Sequence, residues 1–240
     1  MYRPIPHPPI YRFAFCVTLL GVLAACEGAN PSYFPLDDGR YWQYQIEKTT
    51  MDGAVTQKYF LQTIAVQTIN GLRVSGQRTV DGNIYFYQTD ANGVRRIGHQ
   101  VDGGAEIEAQ DPALIVLPND PKIGSQWTQL THTKVLENSG PPWETLFRII
   151  EPVQMDYKIS STNDTINVPA GEFRGCLKVS GFGSVNADVG NYIGRMQISV
   201  EITQWYAPSV GLVRSHRVES TDASALTGGS LMMELESYSP

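Results

Sequence analysis

Apolar and polar residues alternate with a period of two along most of the chain after residue 40. The first such run is Trp42–Glu47, and the most regular is Met196–Thr203. A period of two is typical of a β-strand that buries one face. Helical spacing is nearly absent beyond residue 26, so the pattern predicts an all-β protein.

Five Asn-Gly or Asp-Gly pairs separate the early runs, which are rich in aromatic and β-branched residues. The pairs are Asp52-Gly53, Asn70-Gly71, Asp81-Gly82, Asn92-Gly93 and Asp102-Gly103. Such pairs tolerate positive φ at both central positions of a hairpin, as a type I′ turn requires. They predict a meander of five antiparallel strands at Trp42–Glu47, Tyr59–Ile69, Leu72–Val80, Ile84–Asp90 and Val94–Val101.

The second half of the chain is also rich in strand patterns. Before it, Gly103–Gly124 contains three prolines, which lack the ladder N–H, and therefore predicts a connection or a short helical turn.

Gly39–Trp42 and Gly124–Trp127 both place a Gly three residues before a Trp, which suggests an internal repeat. The strands predicted here are Trp127–Leu136, Trp143–Ile150, Val153–Ser160, Phe173–Gly181, Met196–Gln204, Leu212–Ser220 and Leu231–Leu235.

The first 25 residues have the pattern of an export signal rather than of a folded domain. Arg3 and Arg12 are the only charges before Glu27, and the apolar run Phe13–Cys26 is shorter than the ~20 residues that span a bilayer. These features predict a signal helix that is removed from the mature protein. An uncleaved N-terminal anchor and ordinary cleavage to a soluble protein are the alternatives.

The end of the signal, Leu23-Ala-Ala-Cys26, resembles the lipobox of bacterial lipoproteins. This resemblance implies cleavage between Ala25 and Cys26 and attachment of fatty chains to Cys26. Two or more chains hold a protein stably at a membrane. Residues 26–32 form a predicted tether that reaches only ~20–25 Å. Because Glu27 is not Asp, the chain also resembles enteric lipoproteins of the outer membrane, which implies a location facing the periplasm.

Charge and motifs exclude several function classes. Without residues 1–25 the chain has 16 basic and 24 acidic side chains, a formal charge of −8. This charge disfavours binding to nucleic acid. The sequence contains no hydrolase, metalloprotease or nucleotide-binding motif. We therefore predict no enzyme, no catalytic residue, no cofactor and no metal site.

Isolated reactive side chains do not change this prediction. His99, His132 and His216 are far apart in sequence, whereas a metal site needs converging ligands. Cys176 lies in an apolar strand-like run, and we expect a buried thiol without a disulfide. Gly181-Phe-Gly183 opens no helix and so does not predict a phosphate site.

Three segments resemble a set of uncharacterised bacterial envelope lipoproteins. They are Phe34–Trp42 with a PLxxGxxW start, Val168–Val179 with a VPAGxF turn, and Trp205–Val213 with a WYAPxVGLV segment. The order of strands and turns is similar to that of TapB-like proteins of the LolA/LolB type. The resemblance implies a curved antiparallel sheet forming an incomplete barrel, with an apolar concave face. A two-sheet β-sandwich and a closed barrel are the alternatives.

We expect a single all-β domain at residues 33–240, with possible halves 33–110 and 111–240. The favoured hypothesis is a non-enzymatic envelope lipoprotein that binds an apolar ligand or lipid in its half-open sheet. The alternative is a scaffold lipoprotein that binds an envelope protein through sheet edges and aromatic turns. The residues predicted to form the binding face are Trp42, Tyr85, Tyr87, Trp127, Trp205 and Tyr206.

Overall fold

The computed structural model of the chain describes residues 32–69, 71–136, 149–188, 194–223 and 226–239, all within a unit of residues 31–240. None of these residues lies in a helix with the length and apolarity that a membrane span requires. The strands are β1 Tyr41–Thr50, β2 Gly53–Ile69, β3 Leu72–Thr79, β4 Ile84–Asp90, β5 Gly93–Gln100, β6 Glu108–Pro118, β7 Gln126–Thr131, β8 Val153–Val168, β9 Gly171–Asp188, β10 Arg195–Ala207, β11 Gly211–Thr221 and β12 Gly228–Ser239.

All twelve strands belong to one antiparallel sheet. Its order is β6-β5-β4-β3-β2-β1-β12-β11-β10-β9-β8-β7, so β6 and β7 form its two edges. The sheet curves into a nearly closed barrel shape, and no ladder among the described residues joins β6 to β7. This confirms the predicted all-β fold with an incomplete barrel and leaves one unsealed seam. A two-sheet sandwich is not formed.

The meander β1–β5 is confirmed, and its turns differ in type from the prediction. The glycines at positions 53, 71, 82, 93 and 103 all have positive φ. Among the described residues that precede them, no Asp or Asn has positive φ. The predicted type I′ turns are therefore wrong at Asp52-Gly53, Asp81-Gly82, Asn92-Gly93 and Asp102-Gly103, because that type needs positive φ at both central residues. Glycine alone provides the left-handed residue in these four turns, whereas Asn70 lies outside the described residues and its turn type stays a prediction.

The predicted repeat is visible in the hydrogen bonds that begin each meander of six strands. Gly39 N–H donates to Thr63 O at 3.0 Å, and Thr63 N–H donates to Arg40 O at 2.8 Å. The second meander repeats this arrangement. Gly124 N–H donates to Ile159 O at 2.9 Å, and Ile159 N–H donates to Ser125 O at 2.9 Å. β1–β6 and β7–β12 are therefore two similar meanders. β12 of the second pairs with β1 of the first, whereas the equivalent pair, β6 and β7, stays open.

The proline-rich region was predicted as a connection, and this is wrong for its central part. Residues 108–118 form β6, which pairs with β5 from His99–Glu108 to Gly93–Pro118. β6 is an edge strand, and an edge strand tolerates proline because one side of its ladder has no partner. The prolines thus indicate an edge strand of the sheet rather than a connection outside it.

The strand predicted at Trp127–Leu136 is shorter in the structure. β7 ends at Thr131, and residues 132–136 leave the sheet. The partner of β7 is β8, with Trp127 opposite Tyr157 and Thr131 opposite Val153. The pairing predicted for Trp143–Ile150 lies mostly outside the described residues, as do the signal helix, the Ala25–Cys26 cleavage site and residues 26–31 of the tether.

Buried apolar side chains fill the inner side of the curved sheet. The register places Met155, Tyr157 and Ile159 of β8 opposite Gly183, Gly181 and Val179 of β9. A Cβ on Gly181 would meet Tyr157 Cδ1 at 2.8 Å, and one on Gly183 would meet Gln154 O at 2.2 Å. Gly181 therefore makes room for the Tyr157 ring, and Gly183 lets the backbone of β8 approach closely.

Candidate functional site

A large cavity lies at the seam between the two edge strands. We name it the seam cavity; its volume is about 750 Å³. One wall is residues 110–115 of β6, and the other is residues 128–134, from β7 and the chain that follows it. Cavities of about 300–1,000 Å³ are typical of small-molecule sites. The remaining lining residues are Arg96, Pro152 and Gln154.

The seam cavity exists because the chain turns inward after β7 instead of extending along β6. We name residues 132–136 the inner segment. Its backbone N–H groups at Lys134, Val135 and Leu136 donate to the carboxylate of Glu219 at 2.8, 2.9 and 3.1 Å. Amides that bind a carboxylate are not free to form a β-ladder. The inner segment therefore cannot close the seam.

Glu219 is itself held by a buried ion pair on β11. Arg217 Nε donates to Glu219 Oε1 at 2.5 Å, and both side chains are nearly inaccessible. Arg217 Nη2 also donates to His132 O at 2.8 Å, at the start of the inner segment. A buried charge pair is tolerated only when further hydrogen bonds satisfy it. Here the backbone of the inner segment provides those bonds.

A second, smaller cavity continues from the seam cavity into the barrel. This inner cavity has a volume of about 170 Å³. The two cavities share Arg96, Leu114, Ile115 and Gln129. Burial raises the pKa of Tyr87 to about 12 and also raises the pKa of Tyr206, so both phenols stay protonated near neutral pH. The other residues that line the inner cavity are Val116, Trp127, Tyr157 and Gln204.

Arg96 is the cationic side chain where the two cavities meet. Its guanidinium lies over the ring of Tyr85, with 5.1 Å from Cζ to the ring centroid. No salt bridge among the described residues includes Arg96. Its neighbour Arg95 differs, because it pairs with Asp90 and donates to Gln88 Oε1 at 3.2 Å. The ring of Tyr85 stabilises the cation of Arg96 without neutralising it.

Polar atoms on β7 and the inner segment are buried here without a hydrogen-bond partner among the described residues. They are Trp127 Nε1, Gln129 Oε1 and Thr133 Oγ1. Trp127 lines the inner cavity, Thr133 lines the seam cavity, and Gln129 lines both. A buried polar atom normally has a partner. These three atoms therefore add a donor, an acceptor and a hydroxyl to the walls of the cavities.

The structure brings together four of the six residues of the predicted binding face. Tyr87, Trp127 and Tyr206 line the inner cavity, and the Tyr85 ring lies under Arg96. The Trp127 ring stacks on Tyr157, with centroids 5.4 Å apart. These side chains come from β4, β7 and β10, which are separated in sequence and meet only in the folded sheet.

The other two residues of the predicted face lie elsewhere. Trp42 is buried in a separate core cluster, where its Nε1 donates to Val210 O at 2.7 Å. Trp205 follows Gln204 on β10 and so faces the opposite side of the sheet. There it packs between Lys178 and Arg214, and its Nε1 donates to Asp164 Oδ2 at 3.1 Å. The six residues thus do not form one face.

Other reactive groups are placed as follows. The prediction for Cys176 is confirmed: its thiol is free and buried, and burial raises its pKa to about 11. His99 Nε2 lies 3.2 Å from Glu108 Oε2 in a cross-strand pair. Within the described ranges, no three His, Cys, Asp or Glu side chains converge closely enough to bind a metal ion.

Comparison with known proteins gives two similar structures. No protein-family model matches the sequence, and no curated protein is significantly similar to it. A chain from Bacteroides fragilis, described as an exported protein with a YmcC-like fold, is 16% identical with a TM-score of 0.40. A chain from Parabacteroides distasonis, described as a lipoprotein, is 15% identical with a TM-score of 0.37. Each alignment covers 88% of this chain and 100% of the other. The resemblance to TapB-like and LolA/LolB-like proteins stays a prediction.

Proposed function

We propose that this protein is a non-enzymatic lipoprotein of the bacterial envelope that binds an apolar or amphipathic ligand between β6 and β7. The observation that carries this proposal is the seam cavity, which joins an inner cavity through shared residues. Leu114, Ile115 and Leu130 give its wall an apolar surface. The unpaired edges of the sheet give the ligand a path to the cavity from solvent.

The ligand can be sought in the full chain, released from membranes in mild detergent and studied by native mass spectrometry. We expect a co-purified apolar compound of defined mass. Leu130→Glu places a charge on the cavity wall at a side chain that is 51% exposed, and should remove this compound without unfolding the protein. Ile123→Glu is the matched control, because Ile123 is 67% exposed and lies outside the cavity lining. Equal occupancy in both variants would contradict the proposal.

The membrane anchor is a separate part of the proposal and rests on the lipobox sequence before Cys26. Cells grown with labelled palmitate should incorporate the label into the protein, and the labelled protein should be found in the outer-membrane fraction. Cys26→Ser should abolish both results. A Cys26→Ser protein that still carries the label would contradict the proposed anchor at Cys26, but it would not bear on ligand binding in the seam cavity.

A second candidate function is a scaffold that binds a protein partner, and the edges of β6 and β7 favour it. An unpaired edge strand can accept a strand from another chain. A photocrosslinker at Gln126 on β7 would then capture one defined envelope protein in cells. The same group at Glu201, an exposed residue of β10 that is paired on both sides, with Phe182 of β9 and Val218 of β11, should capture none. Identical patterns from the two positions would exclude this candidate.

A further inference from the structure

We infer that the ligand of the seam cavity is a single-chain amphiphile with an anionic carboxylate or phosphate head, and that Arg96 binds this head. The inference rests on the proposed function and adds the chemistry of the ligand. Its basis is the position of one cation where two cavities meet, together with buried donors that have no partner in the described part of the chain.

The charges on the cavity wall favour an anion. Arg96 and Lys134 are the cationic side chains of the seam cavity, and Asp111 is the carboxylate. Asp111 is exposed and forms no salt bridge with Arg96 among the described residues. His132 also lines this cavity. Arg96 is therefore a cation of this wall that no carboxylate among the described residues neutralises.

Arg96 is placed to hold a head group rather than to stabilise the fold. Its guanidinium is half-buried, lies on the Tyr85 ring and has no carboxylate partner in the described residues. A guanidinium has five N–H donors, and its planar fork matches carboxylate and phosphate oxygens. An anion at this point would supply the missing partner and leave the ring contact intact.

The neighbouring donors extend the same site. Trp127 Nε1–H is buried without a partner among the described residues and lies in the inner cavity with Arg96. The protonated phenol of Tyr87 lines this cavity as well. Head-group oxygens are acceptors, so they complement an indole N–H, a phenol and a guanidinium together. A ligand without acceptor oxygens would leave the indole unsatisfied.

The remaining wall suits an alkyl chain. Leu114 and Ile115 border both cavities, and Ala113 and Leu130 continue the apolar surface along the seam. With the head at Arg96, the chain would lie between β6 and the inner segment. A volume of about 750 Å³ is in the range of sites for small molecules and does not require a multi-chain lipid.

Photoreactive analogues of dodecanoate, dodecyl phosphate and dodecanol test this inference on the full chain in nanodiscs. Peptide mass spectrometry would locate the crosslinks, so that partition into the lipid of the nanodisc is not counted. We expect the two anionic probes to label peptides of β6 and β7 at about 10- to 100-fold lower concentration than dodecanol, because a charged hydrogen-bond partner is replaced by a neutral one. The ratio between dodecanoate and dodecyl phosphate distinguishes the two head groups.

Two variants assign the effect to Arg96. Arg96→Gln should bring the anionic probes to the level of dodecanol, and Arg96→Lys should restore part of the difference. Arg95→Gln is the matched control, because Arg95 is adjacent and already paired with Asp90. Equal labelling by all three probes in the unmodified protein would overturn the head-group inference while supporting the cavity. No labelling of β6 or β7 by any probe would overturn both.

Discussion

Val135 donates its backbone N–H to Glu219 Oε2 at 2.9 Å, inside the curved sheet. This bond joins the inner segment to β11, and it draws the chain away from the edge of β6. Glu219 also accepts from the amides of Lys134 and Leu136 and from Arg217. A single buried carboxylate thus organises the backbone that keeps the seam open.

Glu219→Gln should destabilise the protein by about 3–5 kcal/mol, because it leaves the buried Arg217 without its counter-charge. The matched control is Glu234→Gln. Glu234 accepts from Arg214 Nε at 2.7 Å in a partly exposed pair between β11 and β12, so its loss should cost less than about 1 kcal/mol. Urea unfolding measures both changes. Equal destabilisation by the two variants would contradict the role given to the buried pair.

Gly183→Ala should destabilise the protein by about 1–3 kcal/mol, since a new side chain would overpack the interior. The added Cβ would meet Gln154 O at 2.2 Å, and a backbone atom of β8 cannot move without disturbing the ladder. Ser184→Ala, at the exposed next position, should stay within about 0.5 kcal/mol. Thermal unfolding compares the stability of the two variants. A Gly183→Ala protein as stable as the unmodified one would mean that β8 can shift to accept the side chain.

High pH should unfold the protein between about pH 10 and 12. Burial raises the pKa of Tyr87 to about 12 and also raises the pKa values of Tyr44, Tyr59 and Tyr206. A raised pKa favours the protonated folded state below the unfolded pKa of about 10, and this contribution is lost as pH rises through the folded values.

Absorbance of tyrosinate and near-UV circular dichroism follow this transition together. We expect the buried tyrosines to ionise only as tertiary structure is lost. Ionisation of all tyrosines near pH 10 with the fold intact would contradict their burial.

Thiol labelling tests both the core and the anchor. Cys176 is buried, and its pKa is raised to about 11, so a maleimide should not react with the native protein at pH 8. In urea the mature protein should show one reactive thiol, because the sulfur of Cys26 would carry lipid and Cys16 would be removed with the signal. Two thiols in urea would mean that Cys26 is not lipidated.

Several features of the fold could be predicted from local sequence. Period-two alternation and Gly turns depend on neighbouring residues, and they gave β4 at Ile84–Asp90 with its observed bounds. The repeat at Gly39 and Gly124 also follows from local residues, since each glycine begins a meander. The prolines of β6 predicted a connection where the structure has a strand, because sequence alone does not distinguish an edge strand from a connection.

The candidate site was predicted only in part. Aromatic residues such as Tyr87, Trp127 and Tyr206 could be predicted as candidates, because large rings usually occupy cores or binding faces. Arg96 has no sequence signal of its own: it follows another arginine, and alternation places the two on opposite faces. Its importance depends on what the neighbouring strands bring to it, which no local pattern contains.

The sequence by itself determined most of the strands, the positions of the glycine turns and the absence of helical spacing, because these depend on residues close along the chain. The tertiary structure decided which edges meet without pairing, how Glu219 draws the inner segment inward, and why Arg96 borders two cavities. These features depend on contacts between residues far apart in sequence, such as Val135 and Glu219, and only closure of the sheet brings them together.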